Sequence, residues 1–216
     1  MTANKGRIRA LLVDDHPVVR AGYKLLLEQG GEIEVIAEAD SGEAACRHYV
    51  DHEPDIVIMD LSLRGMSGLE AIRRIVSRDA NARILVFSMH EDTMFAERAI
   101  SAGARGYLTK SSAPHALVDA AKEVAGGRLY LDQDIARRLA FQSAGGRSAA
   151  LEALSTREFE IFCLLASGET SVEIGKRLSL SAKTVANYST QIKAKLGVST
   201  TAELTRLAIR HGVLEP

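Results

Sequence analysis

The stretch IRALLVDDHPVV, residues 8–19, runs an apolar segment straight into two adjacent carboxylates, Asp14 and Asp15. A run that is apolar almost throughout suits a strand covered on both faces of a parallel sheet. Four more such runs follow at 33–39 (IEVIAEA), 55–60 (DIVIMD), 83–88 (RILVFS) and 105–109 (RGYLT). The intervening segments carry apolar residues at helical spacing: Val18, Leu25 and Leu26, then Leu69, Ile72 and Ile75, then Ala116, Leu117, Ala120 and Val124. Five β-α units predict an α/β fold with a five-stranded, doubly wound parallel sheet, and such sheets bind ligands at the carboxyl ends of their strands.

The polar residues gather at that edge. Asp14 and Asp15 close the first strand, Asp60 the third and Ser88 the fourth, while Lys110 follows the fifth. Three converging carboxylates raise at least one pKa unless a cation sits among them. Mg²⁺ fits, because it takes a few carboxylate or carbonyl oxygens and keeps several waters. Asp60 is then a candidate nucleophile for a phosphoryl group, with Lys110 neutralising and Ser88 hydrogen-bonding its oxygens. A second reading stays open at this point: Asp15, just before HPVVRAG, also suits a helix N-cap with Pro17 in the first turn.

At 216 residues the chain is comfortable for two domains. Apolar residues make up 46% and charged residues 25%, and no apolar run reaches the roughly 18 residues of a membrane helix, so a cytoplasmic protein without membrane contact is expected. Cys46 and Cys163 lie far apart without metal-binding spacing and read as buried small hydrophobes. His16, His90 and His115 show no metal spacing and read as loop or surface residues. The net charge of −1 conceals an asymmetry. Between residues 175 and 211, seven Lys and Arg face only Glu203, a local balance of +6 and a possible nucleic-acid footprint.

The composition changes after residue 127. GGRLYLDQDIARRLAFQSAGGRSAA reads as a linker over 128–150 with a short helix at 132–142. LSTREFEIFCLLASG then opens with Ser155 or Thr156 as N-cap and Glu158 at capping-box spacing. TSVEIGKRLSL is a short helix with Ile174 and Leu178 inward. AKTVANYSTQIKAKLG is a longer one, capped by Ser181 and stopped by Gly197. Two short helices about a tight turn describe a helix-turn-helix. Val185, Ile192 and Leu196 share the inner face of the second. Opposite them, Asn187 suits an adenine edge, Ala186 a thymine methyl, Thr190 either kind of partner, and Lys183 and Lys193 phosphates.

These residues resemble a known pairing of domains. The acidic pair, Asp60 in VIMDLSLRGMSG, Ser88 in VFSMH and GYLTK ending at Lys110 resemble the receiver domain of two-component response regulators over residues 7–127. The resemblance implies a phosphoryl group accepted on Asp60 from a sensor histidine kinase, with Mg²⁺ on Asp14, Asp15, Asp60 and the backbone carbonyl of Ser62. It implies a switch role for Tyr107 beside Ser88. Leu63 and Arg64 depart from the usual Met-Pro of the acceptor loop, and Ser111 stands where a cis proline often follows the lysine. Residues 151–213 resemble the four-helix LuxR-type DNA-binding domain, which places the chain with the NarL/FixJ family. The L-S/T-x-R-E opening, Thr184-Val185 and the KLGV run at 195–198 carry that likeness. Ser171-Val172, Gly175 and Tyr188 depart from the usual residues, and Tyr188 is similar to the branch containing the global regulator GacA.

The expectation is therefore a receiver over 1–127, a linker over 128–150 and an all-α helix-turn-helix domain over 151–216. It is a Mg²⁺-dependent transcription regulator rather than an enzyme. Its partners are a sensor kinase, double-stranded promoter DNA and a second copy of the chain. The implied DNA contacts are Lys183, Thr184, Ala186, Asn187, Tyr188, Thr190, Lys193 and Lys195. The last helix, with Ala202, Leu204, Leu207 and Ala208, is the implied dimer contact. A haloacid dehalogenase-type phosphatase would instead need D-x-D after the first strand, and a dinucleotide-binding fold needs a G-x-G-x-x-G that VDDHPV replaces. A phosphorylation-independent adaptor is the remaining alternative.

Overall fold

The computed structural model describes residues 6–142, 151, 153–178, 180–211 and 213–214. It divides into two compact units, Met1–Arg138 and Leu139–Pro216.

The first unit alternates β1 (Ile8–Val13), α1 (Pro17–Glu28), β2 (Ile33–Ala39), α2 (Gly42–His52), β3 (Ile56–Met59), α3 (Gly68–Arg78), β4 (Ile84–Ser88), α4 (Thr93–Ser101), β5 (Gly106–Thr109) and α5 (Pro114–Ala125). The sheet is parallel, in the order β2-β1-β3-β4-β5-β6. Successive strand residues point to opposite faces. Ala10, Leu12, Ile56, Ile58, Leu85, Phe87 and Leu108 pack with Leu27 of α1 and Leu117, Ala120, Ala121 and Val124 of α5. The alternate residues, Leu11, Val57, Met59, Val86 and Tyr107 among them, are buried on the face covered by α2, α3 and α4. Burial on both faces is why these strands read as continuous apolar runs.

Among the described residues the sheet has the expected five-stranded core and one further strand. β6 (Tyr130–Leu131) pairs with the edge of β5, and α6 (Gln133–Gln142) follows it. The expected linker thus begins as sheet: Tyr130 N–H donates to Arg105 O and Asp132 N–H to Tyr107 O. Residues 143–150 of that linker lie outside the described residues. Cys46 and Cys163 are half-buried rather than fully buried. Asp15 does not cap α1. His16 is the N-cap residue without a side-chain cap, Pro17 begins the helix, and Asp14 Oδ1 accepts the His16 N–H at 2.8 Å.

The second unit holds α7 (Thr156–Ala166), α8 (Ser171–Leu178), α9 (Ala182–Leu196) and α10 (Thr201–Arg210). Ser155 and Glu158 form the capping box of α7, and Ser181 caps α9, which Gly197 ends at φ 65°. Phe159, Phe162, Ile174, Val185, Ile192 and Leu204 form the buried interior. Polar ties fix the helices to one another: Arg157 donates to Leu178 O at 2.9 Å, and Thr205 Oγ1 to Ala166 O at 2.9 Å. Gly175, one of the departures from the usual residues, has a steric reason. A Cβ there would lie 2.7 Å from Leu180 O, in the turn closed by Leu180 N–H on Gly175 O at 2.8 Å.

Candidate functional site

Strand register builds the acidic edge. Val13 pairs with Met59, so Asp14 and Asp60 leave neighbouring strands side by side, and Asp60 N–H donates to Val13 O at 3.0 Å. On the far side Ser88 pairs with Thr109, and Lys110 N–H donates to Ser88 O at 2.8 Å. The reversal of strand order between β1 and β3 opens the crevice into which these side chains emerge. Gly68, at the start of α3, lets that helix approach closely, since a Cβ there would collide with the carbonyl oxygen of Asp60.

Lys110 Nζ lies 2.7 Å from Asp14 Oδ2 and 2.6 Å from Asp60 Oδ2, and the three side chains are 6%, 3% and 5% exposed. Burial pushes Asp60 above the ordinary carboxylate range, outweighing the charge and hydrogen bond of Lys110. Burial alone would lower Lys110, but the two carboxylates reverse this and hold its ammonium protonated. Asp60 Oδ1 accepts the Ser62 N–H at 3.2 Å.

Asp15 is half-buried beside them, with Arg64 Nε 3.3 Å from Oδ2 and His16 Nδ1 2.7 Å from Oδ1. The contact with His16 lacks hydrogen-bond geometry, so Oδ1, removed from solvent, accepts no hydrogen bond and can turn to a cation. Asp14, Asp15 and His16 present ligand atoms within 4.8 Å of one another. Asp60 is not in that group; the Lys110 ammonium lies between it and Asp14. Two adjacent carboxylates, one with an oxygen that accepts no hydrogen bond, fit a hard divalent ion such as Mg²⁺.

Ser88 and Tyr107 lie together. Both are fully buried, and burial pushes the Tyr107 phenol well up. Tyr107 OH donates to His90 O at 2.7 Å, and His90 N–H donates to Ser88 Oγ at 3.3 Å. His90, expected as a loop or surface residue, lies in the loop between β4 and α4, half-buried and stacked on Phe95, a contact that no spacing in the sequence announces. The Lys110–Ser111 peptide is trans.

On α9, Val185 and Ile192 face inward, while Lys183, Ala186, Asn187 and Thr190 are exposed. Thr184, Tyr188 and Lys193 are half-buried. Thr190 Oγ1 donates to Ala186 O at 3.1 Å, and Thr184 Oγ1 pairs with Ser181 Oγ at 2.7 Å. Lys195 Nζ is bound to Glu158 Oε2 at 2.7 Å, so its charge serves the α7 capping box. The last helix needs a correction. Leu204 and Ala208 are fully buried within their own unit, so the α10 surface retains only Ala202, exposed, and Leu207, half-buried, from the expected dimer set.

The family comparisons agree with both halves. Residues 10–122 match the response regulator receiver domain, and residues 152–208 match the bacterial regulatory proteins of the luxR family. The chain belongs to the response regulators with a LuxR-type DNA-binding domain. It is 43% identical over 207 residues to the transcriptional activator protein ExaE of Pseudomonas putida, covering 94% of this chain and 97% of that one. It is 38% identical to the response regulator UvrY of Escherichia coli K12, with 95% of each chain covered. It is 35% identical to GacA of Pseudomonas protegens, over 96% of this chain and 98% of that one. Among solved structures, a LuxR-family two-component response regulator from Aurantimonas matches with TM-score 0.63 and 46% identity, covering 64% of this chain and 99% of that one. RcsB from Salmonella enterica serovar Typhimurium, bound to promoter P1flhDC with phosphomimetic BeF3-, matches with TM-score 0.63 and 26% identity over 93% and 98% of the two chains. This response regulator therefore joins a receiver to a DNA-binding domain as a transcription regulator of a two-component system. Among the described residues, no helix is long and apolar enough to cross a membrane.

Proposed function

We propose that Asp60 accepts a phosphoryl group from a phosphohistidine of a sensor kinase and that this controls dimerisation and promoter binding. The observation that carries the reading is the Lys110 ammonium shared by Asp14 and Asp60 at the carboxyl edge of the sheet. In the transfer, a carboxylate oxygen of Asp60 forms a bond to phosphorus as the donor P–N bond breaks, and the leaving imidazole takes up a proton. Lys110 balances the charge on the phosphoryl oxygens, and the Ser88 hydroxyl turns from His90 to donate to one of them. Mg²⁺, held by Asp14, Asp15, Asp60 and the Ser62 carbonyl, would neutralise the same oxygens. Tyr107 follows Ser88, and the phosphoryl charge thereby shifts the balance between two receiver states.

In the second unit Ala186, Asn187 and Thr190 read base edges, with Thr184 and Tyr188 flanking them. Lys183 and Lys193 meet phosphates, and Lys195 acts mainly through Glu158. The proposed place of action is the cytoplasm, where promoter DNA lies. Treatment with acetyl phosphate and Mg²⁺ is expected to raise the dimer fraction and DNA affinity of the wild type but not of Asp60→Asn. An equal response in both proteins would overturn the reading.

A further inference from the structure

We infer, on the reading of Asp14 and Asp15 as Mg²⁺ ligands beside the acceptor Asp60, that Arg20 of α1 is a positioning residue whose guanidinium fixes the peptide joining that pair. The sheet takes up the Asp14 N–H, which donates to Ala39 O at 3.1 Å. The Asp14 carbonyl lies beyond the last paired residue of β1, Val13, and accepts Arg20 Nη1 at 2.6 Å. Arg20 is itself held, with its side chain only 18% exposed. Its Nε donates to Glu38 Oε2 at 3.0 Å, and Lys24 Nζ, one turn further along α1, donates to Glu38 Oε1 at 3.0 Å. Glu38 stands opposite Leu12 in the β1–β2 register, so the anchor of the guanidinium is part of the same sheet that carries Asp14. The hydrogen bonds from Lys24 and Arg20 outweigh burial and hold the Glu38 carboxyl below its ordinary value.

A guanidinium is a planar fork of donors, and here one arm takes a carboxylate while the other takes a carbonyl. A carbonyl bound to a donor so held cannot rotate freely, and the plane of the Asp14–Asp15 peptide is set with it. The Asp14 carboxylate has further anchors in the Lys110 ammonium and the His16 N–H. The Asp15 carboxylate instead meets the side chains of His16 and Arg64, both largely exposed. Its direction therefore depends on the peptide plane, and through that plane on Arg20. Mg²⁺ demands near-ideal octahedral geometry, and losing the partner behind a metal ligand costs about 10- to 100-fold in affinity. As a bare charge, Arg20 would do the opposite, since a cation near the pair repels Mg²⁺. The two roles thus differ in sign.

The test titrates the full chain with Mg²⁺ and no phosphoryl donor, reading the dissociation constant by calorimetry in wild type, Arg20→Met, Arg20→Lys and Lys24→Met. Arg20→Met keeps the apolar stem, removes fork and charge, and is expected to weaken binding about 10-fold. Arg20→Lys keeps the charge without the fork and should weaken binding by at least about 3-fold. Lys24→Met takes a charge from the same Glu38 without touching the Asp14 carbonyl, and should stay within about 2-fold of wild type. With acetyl phosphate added, labelling of Arg20→Met should need more Mg²⁺ for half its maximal rate and reach nearly the wild-type rate at saturation. Binding in Arg20→Met as tight as wild type or tighter, an equal loss in Lys24→Met, or a lowered maximal rate at an unchanged Mg²⁺ requirement would overturn the inference. Should Arg20→Met fail to fold, wild-type affinity in Arg20→Lys would still overturn it. Wild-type protein that binds no Mg²⁺, or binds it and takes no label on Asp60, would instead sink the metal or acceptor reading on which it stands.

Discussion

Lys110 Nζ lies 2.6 Å from Asp60 Oδ2, with both side chains almost wholly removed from water. A buried ion pair contributes little net stability as a pair, yet losing one partner strands the other charge. Lys110→Met should therefore destabilise the first unit by about 3 kcal/mol in urea denaturation, since it leaves Asp14 and Asp60 facing one another. Adding Asp60→Asn should return part of that loss. A double variant no more stable than Lys110→Met would show that the ammonium does not offset that charge.

Glu158 makes the second unit sensitive to acid. Burial pushes its carboxyl up, but the hydrogen bond from Lys195 and those with Ser155 outweigh burial and hold it below its ordinary value of 4.5. A depressed folded value means that the stabilisation is full above about pH 4.5 and is lost as pH falls through the lower folded value. Glu158→Gln keeps the capping box but loses the charge that pairs with the partly exposed Lys195, so it should lower the stability of this unit at neutral pH by at most about 1 kcal/mol and flatten its decline between neutral and acid pH. Thermal unfolding at several pH values checks both.

Lys195 should separate from the other lysines of α9. Lys183→Ala and Lys193→Ala are expected to weaken binding to all DNA sequences and to reduce the slope of log K against log salt by about 1 each. Lys195→Ala should change that slope less and should cost at most about 1 kcal/mol of stability, because its ammonium is partly exposed on Glu158. Asn187→Ala should instead relax preference at one base pair by about 1–3 kcal/mol. Titrations against specific and scrambled duplexes at several salt concentrations distinguish the three behaviours.

Gly175→Ala tests the turn between α8 and α9. The added methyl meets Leu180 O at 2.7 Å, so the substitution should destabilise the second unit by about 1–3 kcal/mol despite alanine's better helix propensity. An unchanged or raised midpoint in denaturant would contradict the geometry.

The acidic edge was legible because each strand of a doubly covered sheet announces its end where the apolar run stops, as at Val13–Asp14 and Met59–Asp60. Register then carries those ends to one edge without further information. β6 escaped notice because a two-residue strand has no periodicity; its place follows from backbone pairing with Arg105 and Tyr107. Spacing also could not say which surface an apolar stripe meets. Leu204 and Ala208, expected to face a second copy, are buried by three-dimensional packing in their own core. Lys195 paired with Glu158, 37 positions away, and His90 paired with Ser62, 28 positions away. Neither partnership has a local signature, because each depends on helices or strand ends brought together only by the complete fold.

Full-length protein exposed to acetyl phosphate and Mg²⁺, digested and read by mass spectrometry, should carry its label on the peptide containing Asp60. Asp60→Asn should carry none. Label of wild-type extent persisting in Asp60→Asn, or located on another peptide of the wild type, would contradict the account.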